Sequence, residues 1–132
     1  MLITLEVQTH ARTEMLDLTA QVQHAVQQSG VIAGICYVFV PHTTAGVTIN
    51  EHADPAVQRD ILTEINQVIP FADAYTHGEG NSAAHIKASL FGAALFVIID
   101  HGELVLGTWQ GLYFCEFDGP RRRKLLVKIM AE

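Results

Sequence analysis

The stretch LFVIIDHGELVLGTWQGLYFCEFDGPRRRKLLVKIM, residues 95–130, decides the fold class. Four runs within it are rich in β-branched, aromatic and other apolar side chains and predict strands: residues 95–99, 104–106, 112–117 and 124–130. Residues 100–103 predict a hairpin turn, because Gly102 supplies the positive φ that such turns need. Asp118-Gly119-Pro120 predicts a second turn. The C-terminal part of the chain is therefore expected to form successive antiparallel strands.

Helical patterns precede this region. Asp17 comes before a stripe of apolar residues with helical spacing, which predicts a first helix, and Gly30 is expected to end that helix. Asp54 is expected to cap a second helix that opens at Pro55 and ends at Pro70. Its predicted buried stripe consists of Val57, Ile61, Ile65 and Val68. A third helix is expected from Asn81 or Ser82 to about residue 90.

Further strands are predicted at residues 3–9, 35–40 and 47–49, and residues 71–82 are expected to form a loop. No repeat or linker interrupts the chain, so residues 1–132 are expected to form a single domain. The sequence predicts an α+β fold, in which two or three helices pack on mostly antiparallel strands.

Composition narrows the function classes. With 49% hydrophobic residues disorder is not expected, and no apolar run is long enough to span a bilayer. Residues 1–14 mix charged with apolar side chains, unlike a signal peptide. The net charge of −6 argues against a general nucleic-acid binder. Cys36 and Cys115 lie in apolar runs and are expected to be buried free thiols. These features predict a cytoplasmic protein without nucleic-acid or membrane partners.

Five of the eight Lys and Arg residues lie near the C-terminus: Arg121, Arg122, Arg123, Lys124 and Lys128. In a strand, Arg121 and Arg123 would share one face. One interpretation is a solvated edge strand. The other is that one face supplies an anion clamp.

Three polar segments are candidates for the functional site: residues 41–51, residues 75–87, and residues 107–111 with Glu116, Asp118 and Arg121 downstream. In the second, Gly78 and Gly80 allow the backbone to approach a ligand. Asn81 and Ser82 lead into a helix whose first N–H groups favour a phosphate, and Lys87 would add a charge. His77 and Glu79 would point to the same side of an extended backbone.

Individual residues allow more than one interpretation. His42, His77 and His85 are each either structural or functional, since imidazole serves as metal ligand and proton carrier. Glu51 either binds a metal or substrate amine or marks a helix entry. Trp109, beside Gln110, either fills the core or stacks on a flat ring. The remaining histidines are assigned structural roles: His10, His24, His52 and His101.

The stretches PHTTAGVTINE, HGEGNSAAHIKASLFG and GELVLGTWQGLYFCEFDGPRRR closely resemble the YjbQ family, also called secondary thiamine-phosphate synthases. The resemblance runs from about Thr4 to Lys128. It implies a sandwich-like α+β fold, a homotrimer, and an active site near His42, His77 and His85. By motif position, the residues around these histidines are Glu51, Asn81, Ser82, Lys87, Trp109, Gln110 and Arg121.

The resemblance also implies an activity: hydroxymethylpyrimidine diphosphate is joined to thiazole phosphate and pyrophosphate leaves, either as the physiological reaction or as a side activity. We expect His77, His85 and Glu79 to be catalytic, and His42, His77 and His85 to hold a divalent ion, Mg²⁺ or Zn²⁺. The expected ligand is a small phosphorylated metabolite, bound by Gly80, Asn81, Ser82, Lys87, Trp109, Gln110, Arg121 and Glu51. The alternatives are a non-catalytic protein that binds a metal or phosphorylated metabolite, and a phosphate-ester hydrolase.

Overall fold

The computed structural model describes residues 1–132 and contains eight strands and three helices. The strands are β1 (Leu2–Gln8), β2 (Glu14–Asp17), β3 (Gly34–Phe39), β4 (Ala45–Glu51), β5 (Ala94–Asp100), β6 (Glu103–Leu104), β7 (Gln110–Glu116) and β8 (Arg122–Ala131). The helices are α1 (Thr19–Ser29), α2 (Pro55–Val68) and α3 (Ser82–Phe91). This composition confirms the predicted α+β class. None of the three helices combines the length and apolarity that crossing a membrane requires.

The strands form two antiparallel sheets. The larger sheet has the order β1-β8-β3-β5-β6 and the smaller has the order β2-β7-β4. β8 lies inside the larger sheet because its ten residues pair with β1 on one side and with β3 on the other. The interpretation of the C-terminal segment as a solvated edge strand is therefore wrong.

The main core lies between the two sheets and includes α1. It contains Val38 and Val127 from the larger sheet, Phe114 from the smaller sheet, and Val22 and Val26 from α1. The other face of β7 contributes Tyr113 and Cys115 to a second, smaller core, which α3 covers with Ala84 and Ala88. β7 is thus buried on both faces, which explains its continuous apolar sequence.

Close contact between α3 and β4 depends on a glycine. A Cβ at Gly46 would lie 2.8 Å from the carbonyl oxygen of Gly92, which follows the last residue of α3. Real Cβ atoms do not approach a backbone oxygen so closely, so only glycine fits there without a shift. This contact holds α3, which carries His85, against the smaller sheet.

Two local predictions need correction. α2 buries none of its residues: Val57, Ile61 and Ile65 are half-buried and Val68 is exposed, because α2 packs on the smaller sheet only lightly, near β2. The predicted strand at residues 104–106 is shorter, since β6 ends at Leu104. The prediction for the cysteines is confirmed, because Cys36 and Cys115 are both buried and free.

Candidate functional site

A wholly polar cavity of about 510 Å³ lies where α3 begins, β4 begins and β7 ends. We call it the histidine pocket and define it by its lining residues: Thr43, Thr44, His77, Glu79, Asn81, His85, Asp118 and Arg121. Its volume falls in the range of small-molecule sites. Three segments that are distant in sequence meet here, and each of them carries hydrogen-bonding side chains.

His77 and His85 form the centre of the pocket. His85 lies in the first turn of α3, and His77 lies on the irregular segment before that helix. Their ring centroids are 5.4 Å apart and the rings are nearly perpendicular, at 89°. Glu79 Oε2 lies 4.0 Å from His77 Nε2, at the exposed rim. The predicted catalytic residues are thus neighbours, and imidazole pairs of this kind can exchange protons with a ligand.

Arg121 brings the positive charge of the pocket. Its Nε donates to the carbonyl oxygen of Asp118 at 2.9 Å, and its Nη2 donates to Asp118 Oδ2 at 3.2 Å. The Asn81 amide donates to the same Oδ2 at 2.9 Å. Asp118 therefore orients both side chains, and the Asn81 side chain is not used to cap α3.

The start of α3 keeps hydrogen-bonding capacity for a ligand. No side chain caps the helix, so its partial positive charge and the N–H groups that precede Ala84 have no side-chain partner. The buried Asn81 Oδ1 accepts no hydrogen bond. A buried acceptor without a partner costs free energy, and such groups concentrate at functional sites. Ser82 lines an adjoining cavity of about 450 Å³ that also borders His77 and His85.

Buried polar residues support the pocket from below. Arg123 forms an ion pair with Glu116 and donates to Thr44 Oγ1 at 2.8 Å. The Glu116 carboxylate also accepts from the Asp118 N–H at 3.0 Å. Of the two arginines expected to share one face, Arg123 therefore lies beneath the pocket and only Arg121 reaches it.

Lys87 lies outside the pocket. Its side chain is fully buried, and its Nζ donates to Asn66 Oδ1 at 2.6 Å and lies 3.7 Å from the centroid of the Phe71 ring. Burial lowers the pKa of Lys87 to about 8, and the positive charge of Arg12 adds to this shift. Lys87 therefore connects α3 to α2, through Asn66, and to the segment after α2, through Phe71.

Glu51, Trp109 and Gln110 lie at the opposite end of the smaller sheet. Glu51 pairs with Gln110 at one end of the β4–β7 ladder, whereas Ala45 pairs with Glu116 at the end next to the pocket. Six residue steps of about 3.3 Å separate the two ends by about 20 Å. Trp109 is exposed. Within one chain these three residues do not meet His77 and His85.

His42 lines a different cavity, together with Glu6, Gln8, Arg122 and Lys124. Its Nε2 accepts a hydrogen bond from the Lys124 N–H at 2.9 Å. Burial lowers the pKa of His42, and the charge of Arg123 lowers it further. The side chain is thus a neutral imidazole whose Nδ1 carries the proton.

A metal ion with three histidine ligands does not fit the side chains of one chain. No group of three or more His, Cys, Asp and Glu side chains is placed to hold a metal ion. His42 lines a different cavity and its Nε2 is engaged with Lys124, whereas His77 and His85 line the same pocket. We therefore derive no chemical step through a metal.

Residues 3–132 match the model of the family described as UPF0047 protein YjbQ-like. The UPF0047 protein YugU of Bacillus subtilis is 50% identical over 131 residues, which cover 98% of this chain and 99% of YugU. A UPF0047 protein of Methanocaldococcus jannaschii is 49% identical over 132 residues, covering 100% of this chain and 96% of the relative. This chain belongs to the YjbQ family. The resemblance inferred from the three motifs is thereby confirmed.

Solved structures of the YjbQ family share the fold. A family member from Clostridium acetobutylicum superposes with a TM-score of 0.96 at 55% identity, covering 97% of this chain and 99% of the other. A YbjQ-like protein from Sulfolobus solfataricus, described as of unknown function, also gives a TM-score of 0.96, at 36% identity, covering 100% and 97% of the two chains. The YjbQ-like α+β fold is therefore confirmed.

Three pocket residues of this YjbQ-family chain were not predicted individually: Thr43, Thr44 and Asp118. The two threonines belong to the predicted polar segment at residues 41–51, so its density of hydrogen-bonding residues was the signal available for them. Asp118 is predicted in a turn downstream of the third polar segment, with no role of its own. Its role depends on contacts with Asn81, 37 residues away in the sequence, which local patterns do not reveal.

Proposed function

We propose that the protein is a small-molecule enzyme that acts on phosphorylated metabolites at the histidine pocket. The proposed reaction joins hydroxymethylpyrimidine diphosphate to thiazole phosphate and releases pyrophosphate, either as the physiological reaction or as a side activity. The observation that carries the proposal is the contact between His77 and His85 inside a wholly polar pocket that also holds Arg121. The choice of substrates rests on the family resemblance.

The charges of the pocket suit a diphosphate leaving group when an imidazole is protonated. Arg121 and Asp118 form an ion pair, so their formal charges cancel. Glu79 lies at the rim, and its charge is offset when His77 carries a proton. A protonated His85 would then supply a net positive charge, and the uncapped start of α3 adds partial positive charge. We infer that pyrophosphate departs toward His85, Arg121 and the helix start.

The carbon that reacts is the pyrimidine methylene. Its bond to the diphosphate oxygen breaks and a bond to the thiazole nitrogen forms, so negative charge develops on the diphosphate. Stabilising that charge and donating a proton to the leaving oxygen are tasks for an arginine and an imidazolium. In this proposal Arg121 binds the charge and His85 or His77 gives the proton.

A homotrimer is the proposed assembly. The outer face of the larger sheet is apolar around β3 and β5, and we call this part the apolar sheet face: the exposed residues Tyr37, Phe39, Phe96, Ile98 and Met130, with half-buried Ile35. Three of these residues are aromatic, and patches of this kind mark interaction sites. His77 and Glu79 are also open to solvent, so a neighbouring copy at this rim would enclose the ligand.

The test is an assay with both substrates, in the presence of Mg²⁺, Zn²⁺ or EDTA, that follows thiamine phosphate and pyrophosphate together. We expect His85→Asn and Arg121→Gln to lower the rate about 10²–10⁴-fold. His101→Asn is the matched control, because His101 lies in an exposed turn with positive φ that asparagine tolerates.

Three other outcomes would each reject the proposed synthase reaction. If neither product forms above the uncatalysed rate, the synthase reaction is excluded. Free hydroxymethylpyrimidine with no coupled product would identify a phosphate-ester hydrolase. Saturable binding of pyrophosphate in calorimetry, with no turnover of either substrate, would identify a non-catalytic binding protein.

A further inference from the structure

A second cavity lies at the end of the smaller sheet that is remote from the histidine pocket. Its volume is about 520 Å³, which is sufficient for a small molecule. It opens between the start of α1, the residue after β4 and the chain around β6. The lining residues are Asp17, Thr19, Ala20, Gln23, His52, Leu104 and Leu106.

An anchored carboxylate–imidazole pair forms the polar wall of this cavity. Asp17 Oδ2 lies 3.2 Å from His52 Nδ1. The other oxygen of Asp17 accepts from the backbone N–H of Thr19 at 2.9 Å and from its hydroxyl. Burial raises the pKa of Asp17, but the hydrogen bonds from Thr19 and His52 outweigh it and leave the pKa below its ordinary value. Asp17 is therefore charged at neutral pH.

The imidazole of His52 is held in place from below. A Cβ at Gly111 would lie 2.7 Å from the His52 side chain. The side chain therefore packs directly on the backbone of Gly111, where only glycine leaves room for it. The His52 N–H donates to the carbonyl oxygen of Trp109 at 2.9 Å. These contacts direct Nδ1 at Asp17 Oδ2 and hold the imidazole beside the carboxylate.

The rest of the lining favours a ligand with a positive charge and an apolar body. No Lys or Arg lines the cavity, and Asp17 is the one carboxylate in the lining. Gln23 is occupied, since its amide donates to the Gly102 carbonyl and accepts from the Leu104 N–H. Leu104 and Leu106 form an apolar wall. The Asp17 carboxylate is thus the acceptor left for a ligand, and it fits an N–H donor.

We propose that this cavity is a second ligand site, separate from the histidine pocket, that binds a small organic ammonium ion. The ammonium group donates a hydrogen bond to the Asp17 carboxylate, which Thr19 and His52 hold in place, and the hydrocarbon part packs on Leu104 and Leu106. The site does not depend on the proposed synthase reaction.

The experiment is an NMR titration of the full chain with cyclohexylammonium, cyclohexanol and cyclohexanecarboxylate. We expect saturable shifts of the His52 ring and of the Gln23 and Leu104 amides with the ammonium ion, weaker shifts with the alcohol and none with the carboxylate. Asp17→Asn keeps the acceptor for Thr19 but removes the charge. It should weaken ammonium binding at least about fivefold.

Two further variants complete the test. His52→Gln should also weaken ammonium binding, whereas Asp100→Asn, at an exposed Asp–His pair in the β5–β6 turn, should leave it unchanged. Amide dispersion identical to that of the wild type verifies folding. Equal binding of ammonium and carboxylate, equal loss in Asp100→Asn, or no saturable shift in the wild type would each overturn the proposal.

Discussion

At the scale of single residues, the buried pair of Glu116 and Arg123 is the largest concentration of charge in the interior. Glu116 accepts hydrogen bonds from Thr9 at 2.8 Å and from Arg123 Nε at 2.9 Å. Burial raises the pKa of Glu116, but bonds from Arg123, the Asp118 N–H and Thr9 outweigh it and leave the pKa below its usual range. The carboxylate is therefore charged and depends on its partners.

Removing one member of this pair should be strongly destabilising. Arg123→Met leaves the Glu116 charge buried without a partner, and we expect the free energy of unfolding to fall by about 3–5 kcal/mol. Urea unfolding at one fixed protein concentration measures this. Arg122→Met is the matched control, because Arg122 is the exposed neighbour on the other face of β8 and should change stability by less than about 0.5 kcal/mol. Equal losses in the two variants would contradict the role of the ion pair.

At the scale of elements, the irregular segment at residues 69–81 carries His77 and Glu79 to the histidine pocket. It is attached to the rest of the molecule through the Phe71 ring, which lies 3.5 Å from the Arg12 guanidinium and 3.7 Å from Lys87 Nζ. Tyr75 closes the segment on itself by donating to the Pro70 carbonyl. The position of His77 therefore depends on contacts to α3 and to the chain before β2.

Lys87 should make stability depend on alkaline pH. Burial lowers its pKa from 10.5 to about 8 in the folded protein, so the unfolded chain binds more protons between these values. The contribution of Lys87 to the free energy of unfolding therefore rises with pH across this window, by about 1–3 kcal/mol, and is flat below it. Urea unfolding of the wild type and Lys87→Met at pH 7–10.5 measures the difference. Parallel pH profiles of the two proteins would show that Lys87 does not titrate in this way.

At the scale of the whole molecule, the two faces of the larger sheet differ in what covers them. The inner face packs on the smaller sheet and α1, whereas the outer face presents Tyr37, Phe96 and their neighbours to solvent in a single chain. Phe96 pairs with Tyr37 across β5 and β3, with ring centroids 6.3 Å apart. Covering this face is the main gain in apolar burial that assembly offers.

Charge placed on this face should prevent assembly. We expect the wild type to sediment as a trimer at micromolar concentration, and the double variant Tyr37→Lys, Phe96→Lys to sediment as a monomer, because burying two charges is unfavourable. Val68→Lys is the control, since Val68 is an exposed apolar residue on α2, away from the face. A monomeric wild type would reject the trimer, and an intact assembly in the double variant would place the interface elsewhere.

Much of the fold was predictable because local interactions determine it. Asp54 accepts from the Ala56 N–H at 2.9 Å as a helix cap, and Gly30 ends α1 in the left-handed conformation. In the β5–β6 turn, His101 and Gly102 both have positive φ, as the hairpin pattern requires. Each of these features involves residues within a few positions of one another, so the sequence by itself determined them.

The composition of the candidate site was decided by the tertiary structure. The high share of polar residues indicated the parts of the sequence that carry His77, His85 and Arg121. The fold brings these three residues into one pocket. The sequence could not show that Lys87 points into the interior, that Glu51 and Trp109 lie at the far end of the sheet, or that His52 pairs with Asp17, 35 residues away. The physical reason is that strand order and register fix which distant side chains meet, and the local pattern of a strand shows its buried face but not which strand lies beside it.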